Sequence, residues 1–208
     1  MSKFTITQNG EIVNPSLYAW NEDTETFTSE LKNLVLDFGF LSDCTFKTGD
    51  DCTFTTGGNC TFTTDFGCTF ITEDDCTFTT GSGCNFITGD DCTFTTGSGC
   101  NFNVGSDCTF TTGSDSTFDT GSGCNFATTS RCIFNTASRC TFDTASDCTF
   151  TTTSRCIFKT GSNCTFVTGD ECVVIRRDIY EVIELEKNVK IKLNEYGIKG
   201  FERLIHLL

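Results

Sequence analysis

The chain has one proline, one histidine, one methionine and one tryptophan in 208 residues. With His206 alone near the end, no histidine completes a zinc site, and no base–nucleophile pair is spaced for catalysis. No Gly-rich phosphate loop precedes a helix either. A non-enzymatic protein without cofactor or metal is therefore expected. No stretch approaches the apolar length of a membrane span. Cations are scarce, 14 Lys and Arg against 28 Asp and Glu for a formal charge of −14. That balance argues against nucleic acid or an anionic membrane as partner and favours solubility. The opening MSKFTITQNGEIVNPS has no apolar h-region, so no secretory signal is expected. The cysteines then belong in a reducing compartment, the cytoplasm of a host or producing cell, with a virion as the other setting.

What is present in excess is 22 Phe and 16 Cys, and both are periodic. From Cys44 the chain runs as octapeptides, 44–51 to 172–179, with consensus C-T-F-x-T-G-S-x. Ser116 is the one replacement for cysteine, and Val174 the one failure of phenylalanine. Fixed-period self-similarity of this kind marks a solenoid. C-T-F-x-T alternates with period two, so Cys and Phe point inward while the second and fourth places face solvent. The fourth place accepts Lys47, Ile71, Asn103, Asp119, Ala127 and Val167. The fifth is Thr through Thr168 except for Val104, an isosteric swap that suggests a half-buried position. Gly, Ala, Ser and Asp supply the corner.

These features predict an all-β parallel β-solenoid. Two octapeptides per coil would give 16 residues and three would give 24. At the second place the exceptions to Thr are Asn85, Asn101, Asn125, Ile133, Ile157 and Val173. None falls on the every-third-unit row Thr45, Thr69, Thr93, Thr117, Thr141, Thr165. The word TTSRCIF also recurs at a 24-residue step, whereas DCTFTTGSGCNF at 75–86 recurs at 91–102, a 16-residue step. The triangular, 24-residue coil is the expectation, with the two-sided coil as the alternative. It stacks Phe46, Phe70, Phe94, Phe118 and Phe142 in one core ladder, flanked by Cys44, Cys68 and Cys92. Each buried ring contributes on the order of 2–3 kcal/mol.

Open solenoid ends would template stacking, and the flanks read as caps. Residues 1–43 suggest a hairpin around QNG, then a helix carrying Phe27, Leu31, Leu34, Val35 and Phe38. Phe38 keeps the phenylalanine phase, so 36–43 reads as a degenerate first unit. Residues 44–179 are the repeat, and 180–208 a β-rich C-terminal cap. Its closing GFERLIHLL puts Phe201, Leu204, Ile205 and Leu208 on one face of a short helix. The caps are also the places for a protein partner, on a monomer or small homo-oligomer.

Among candidate chemistries, disulfides are disfavoured because stacked equivalents sit about 4.8 Å apart, against about 3.8 Å between paired Cβ atoms. Acidic corners Asp50–Asp51, Asp74–Asp75, Asp90–Asp91 and Asp170–Glu171 read as solvated, although three-sided stacking would set Asp50–Asp51 beneath Asp74–Asp75, where a cation could relieve repulsion. Arg131, Arg139 and Arg155 form a basic counterpart. The pairs Thr61/Thr63, Thr77/Thr79, Thr93/Thr95 and Thr109/Thr111 present outward T-x-T rows, continuous only in a two-sided coil. Such rows resemble those on the flat faces of insect antifreeze proteins, which implies ice binding.

The inward small residue and Phe on each side resemble, in logic, the pentapeptide-repeat and hexapeptide-repeat β-solenoids, but the eight-residue step departs from both. The text CTFxTGSx followed by CVVIRRDIYEVIEL resembles uncharacterised octapeptide-repeat proteins of viral and environmental sequences. That resemblance implies a solenoid of viral origin and no particular activity. The expected role is a structural scaffold or spacer, with a fibre or attachment component and an ice-binding protein as alternatives.

Overall fold

A computed structural model describes residues 4–204, and among them every regular element is β apart from one 3-10 turn, Pro15–Leu17. Each octapeptide contributes one short strand, from Thr45–Lys47 to Val173–Arg176. Cys and Phe are buried throughout and the second and fourth places lie outward, as the alternation requires. The corner closes at the eighth residue, which sits in the left-handed region: Asp75 at φ 60°, Asp91 at 57°, Gly123 at 74°. Asp, Asn and Gly enter that region most easily. Arg131, Arg139 and Arg155 adopt it too, at 59°, 61° and 62°, so the octapeptide geometry overrides their local preference.

Successive strands alternate between two sheets, of 13 and 12 strands. Within the repeat each strand pairs in parallel with the one 16 residues on: Phe62 opposes Phe78, Phe78 opposes Phe94, and Phe70 opposes Phe86. One turn therefore holds two octapeptides, and the solenoid has about nine turns. The 24-residue register is corrected. Phe46, Phe94 and Phe142 share one sheet and Phe70 and Phe118 lie in the other. Cys44 and Cys92 likewise part from Cys68.

The phenylalanines give the physical reason. Along each sheet the rings stack, Phe78 on Phe94 with centroids 4.9 Å apart and planes 3° from parallel. Between sheets they meet edge to face, Phe86 against Phe94 at 5.1 Å and 77°. One ring from each wall thus meets the other directly, in the two geometries aromatic pairs prefer. The every-third-unit pattern that suggested three sides lies on outward positions, which the interior does not constrain. The repeated TTSRCIF words fall on opposite sheets, Ile133 on one and Ile157 on the other.

Both ends of both sheets finish in antiparallel strands. At the start, Thr5–Gln8 pairs with Leu34–Asp37 and Glu11–Ile12, and Ala19–Asn21 pairs with Thr26–Thr28. No helix forms over 27–38. Leu34 and Leu36 are buried while Val35 between them is exposed, a period of two. Asn33 and Gly39 take positive φ on either side and bound the strand. Leu36, not Phe38, occupies the phenylalanine register opposite Phe54. Phe38 instead closes the bottom of the ladder, stacked on Phe4 at 4.3 Å and edge-on to Phe46 at 4.8 Å.

At the other end, Glu181–Glu184 runs antiparallel to Val173–Arg176. Ile191–Leu193 runs antiparallel to both Thr165–Val167 and Phe201–Arg203. Phe201 is thus in a strand rather than the expected helix. Ile205, His206 and Leu208 lie outside the described residues.

Candidate functional site

Two columns of thiols run inside the walls. Each sulfur sits within reach of a carbonyl two residues back, as Cys52 Sγ to Asp50 O at 3.3 Å. Five of them, Cys68, Cys76, Cys92, Cys108 and Cys172, also receive a backbone amide from the turn before, as Cys76 N to Cys92 Sγ at 3.4 Å. Ser116 does the same work with oxygen, accepting from Cys100 N at 3.3 Å and donating to Ser114 O at 3.4 Å. All sixteen cysteines are free and buried. Burial pushes the Cys44 thiol up to about 11, with Glu25 adding to the rise. Deeper in the column neighbouring thiols hydrogen-bond one another, which moves Cys68 and Cys100 up and Cys84 between them down. The interior is packing, with cysteine as a small hydrophobe.

Most fifth-place threonines are more buried than expected, Thr160 entirely so, while Thr48, Thr80 and Thr96 are half-buried, and Val104 sits among them at 7% exposure. Thr56 donates its hydroxyl to Gly57 O at 3.1 Å. Thr64, Thr128, Thr136, Thr152 and Thr160 have no oxygen or nitrogen partner.

Outside, the 16-residue register brings the T-x-T pairs together. Thr61, Thr77, Thr93 and Thr109 are successive partners in one row, and Thr63, Thr79, Thr95 and Thr111 in the other. All eight are exposed. Strands stand about 4.8 Å apart and alternate residues about 6.6 Å apart, so the hydroxyls and methyls form a regular grid. The grid carries no charge. Lys47 opposes Thr63 on one side, and Asn125 and Ala127 follow Thr109 and Thr111 on the other. The opposite wall is irregular: Ile71 opposes Ile87, Asn101 Nδ2 donates to Asn85 Oδ1 at 3.0 Å, and Asn135 Nδ2 to Asp119 Oδ1 at 3.1 Å.

The charged corners also follow the two-sided register. Asp50–Asp51 does not underlie Asp74–Asp75. Asp50 is buried and pairs with Lys32. Asp74 Oδ1 instead accepts from Asp90 N at 2.8 Å, and Asp90 Oδ1 from Ser106 N at 2.7 Å, so both carboxylates tie turn to turn. Burial and the neighbouring Asp75 and Asp107 raise the Asp91 carboxyl above the usual range. Among the described residues no group of His, Cys, Asp and Glu is arranged to hold a metal. Arg131 grips Asp115 with two bonds of 2.7 Å, and Arg155 meets Glu171 at 2.9 Å.

Sequence reading missed Arg176. It occupies the fifth place, opposite Thr160, and is fully buried. Its guanidinium binds Asp178 and donates to the carbonyls of Ile198 at 2.6 Å and Glu195 at 3.2 Å. The available signal was an arginine in a phase otherwise held by Thr and Val. The chain matches no protein-family model, no curated protein and no solved structure.

Proposed function

We propose that the chain is a non-enzymatic structural protein, a rigid solenoid acting as a scaffold or spacer. The observation that carries this reading is the pair of phenylalanine ladders running unbroken from Phe46 to Phe166, with antiparallel strands ending each sheet on both sides. Such a body holds its ends at a fixed separation and spends its outward positions freely. Trypsin tests the rigidity. Arg131, Arg139 and Arg155 sit at exposed corners, and a rigid rod resists cleavage there while small-angle scattering shows an elongated particle. Rapid cutting at those arginines would end the reading. The likeness of the repeat text to viral and environmental octapeptide proteins makes virions and infected cells the places to look for it.

Ice binding is the second reading, favoured by the in-register grid from Thr61 to Thr111 on one wall only. Thermal hysteresis measures it directly. Thr79→Lys with Thr95→Lys abolishes the hysteresis if the grid is the ice face, whereas Asn103→Lys on the other wall leaves it intact. Absence of hysteresis in the unaltered protein removes this reading and leaves the scaffold untouched.

A further inference from the structure

We propose that Cys76, Cys92 and Cys108 form a binding site for one soft monovalent cation, copper(I), held between two stacked sulfurs. Packing accounts for the thiol columns as a whole, but this run differs from the rest. Cys76 Sγ receives the amide of Cys60, Cys92 Sγ that of Cys76, and Cys108 Sγ that of Cys92, each at 3.4 Å. Cys68 and Cys172 receive one too, but among the described residues only this run gives an amide to both members of an adjacent pair. Hydrogen bonds to the charged form favour a thiolate, and these N–H groups supply them. Releasing the thiol protons orphans no carbonyl. The three thiols donate to Asp74 O, Asp90 O and Ser106 O. Each of those oxygens already accepts a backbone amide, from Asn59, Asp75 and Asp91 at 2.9, 3.0 and 3.0 Å.

The spacing suits an ion that takes two ligands. Thr77 opposes Thr93 and Thr93 opposes Thr109 in parallel register, so the preceding cysteines stack at the strand step of about 4.8 Å. Two thiolate–metal bonds of about 2.3 Å laid in line span about 4.6 Å, and an ion between the sulfurs needs no backbone movement. No three His, Cys, Asp or Glu groups converge among the described residues, so a cation needing four or six ligands has no cage here. Thiolates select copper(I), which is content with two. Binding is coordination without redox change. Two S–H protons pass to water, two Cu–S bonds form, and the pair keeps one negative charge, which the two amides face. Cys92 belongs to both pairs, so the run takes one ion. Outside the wall, Asp75, Asp91 and Asp107 directly precede the three cysteines, with Asp74 and Asp90 beside them, all exposed. None is in an ion pair among the described residues. This corner concentrates cations at the mouth of the site.

The site goes beyond the scaffold reading, which stands whether or not copper binds. The test is titration of the reduced full chain, without oxygen, with copper(I) held by a chromogenic competing chelator. One ion per chain is expected to transfer while circular dichroism stays unchanged. X-ray absorption of the loaded protein then shows two sulfur neighbours and no third. Ser116 already replaces a thiol in the opposite column, so Cys92→Ser keeps the fold. It removes the sulfur common to both pairs and weakens binding at least about tenfold. Cys84→Ser, in the other column where the thiol receives no amide, leaves binding unchanged. Zinc(II), which prefers four ligands, does not displace the copper. No uptake by the folded chain, three or more sulfur neighbours, an equal loss in Cys84→Ser, or displacement by zinc would each overturn the inference.

Discussion

Arg176 Nη2 lies 2.6 Å from Asp178 Oδ2, and Arg176 Nε 3.1 Å from Asp178 Oδ1, with both side chains shut away from solvent. The same guanidinium reaches the carbonyls of Asn194, Glu195, Ile198 and Gly200. Asp178 in turn accepts from Gly197 N at 3.0 Å. A single side chain in the last octapeptide therefore fixes the connection between the final two strands. Removing one partner of a buried pair typically costs about 3–5 kcal/mol because the other charge is left uncompensated. Arg176→Ala is expected to lower stability by that amount in urea titration and to open 194–200 to proteolysis before the repeat unfolds. Arg176→Lys recovers little, since an ammonium cannot supply the two-pronged contact.

The same pair sets an acid limit. Burial alone would raise the Asp178 carboxyl, but Arg176 and the Gly197 amide outweigh it, and the folded-state pKa falls below the ordinary 3.8. A carboxylate depressed on folding contributes stability that is present above its unfolded pKa and lost as pH falls through the folded one. The C-terminal end is expected to loosen below about pH 4, read as faster amide exchange at 194–200. In Arg176→Ala that acid dependence shrinks.

In the middle of the ladder, Phe94 stacks on Phe78 and Phe110 and meets Phe86 and Phe102 edge-on, at centroid distances from 4.8 to 5.3 Å. Four rings around one leave no mobile neighbour to collapse into the space. Phe94→Ala is expected to cost about 3–5 kcal/mol, and Phe94→Leu clearly less, in chemical denaturation. A loss under about 1 kcal/mol would mean that the walls relax inward and that ring stacking does not set their spacing.

The inside of the molecule was legible because every inward place repeats one residue type: Cys, Phe and Thr at fixed phase specify strand, face and solenoid. Coil size was not, because Phe fits its neighbours equally well in text whether the next rung is 16 or 24 residues away. The varied strand positions were outward ones, where the interior sets no rule and only scattered pairs such as Asn85 with Asn101 and Asp119 with Asn135 mark the 16-residue step. The flanks misled for a related reason. Leu34, Val35 and Phe38 satisfy helical spacing, yet a strand ending at Asp37 satisfies the sheet edge left by Thr53–Thr55. Arg176 looked like one more surface charge until its phase was compared with Thr160.

Five buried threonine hydroxyls lack an oxygen or nitrogen partner, Thr136 among them. Its polar neighbour is the thiol of Cys140, and sulfur is a weak acceptor. Val104 already occupies an equivalent place. Thr136→Val keeps the shape and removes a desolvated hydroxyl, so a gain of about 1 kcal/mol is expected. A loss of similar size in the same urea titration would show that the hydroxyl–thiol contact stabilises the corner.

Deletions separate what the interior demands from what the surface demands. Removing residues 92–107 takes out one whole turn, so every later strand stays on its own wall. Thr77 and Thr79 then meet Thr109 and Thr111, and the grid shortens by one strand. Removing only 92–99 moves every later octapeptide to the opposite wall. Inside, Cys and Phe meet Cys and Phe as before, because both walls carry the same inward text. Outside, Asn101 and Asn103 land beside Thr77 and Thr79, and the grid is cut. Both shortened proteins are expected to fold as β-rods with stability reduced by no more than the lost turn. Only the 16-residue deletion retains whatever binding the threonine wall provides, measured as hysteresis relative to the intact chain. If the 8-residue deletion fails to fold while the 16-residue one succeeds, the two walls are not interchangeable inside, and the corner contacts rather than the rings hold the turns in register.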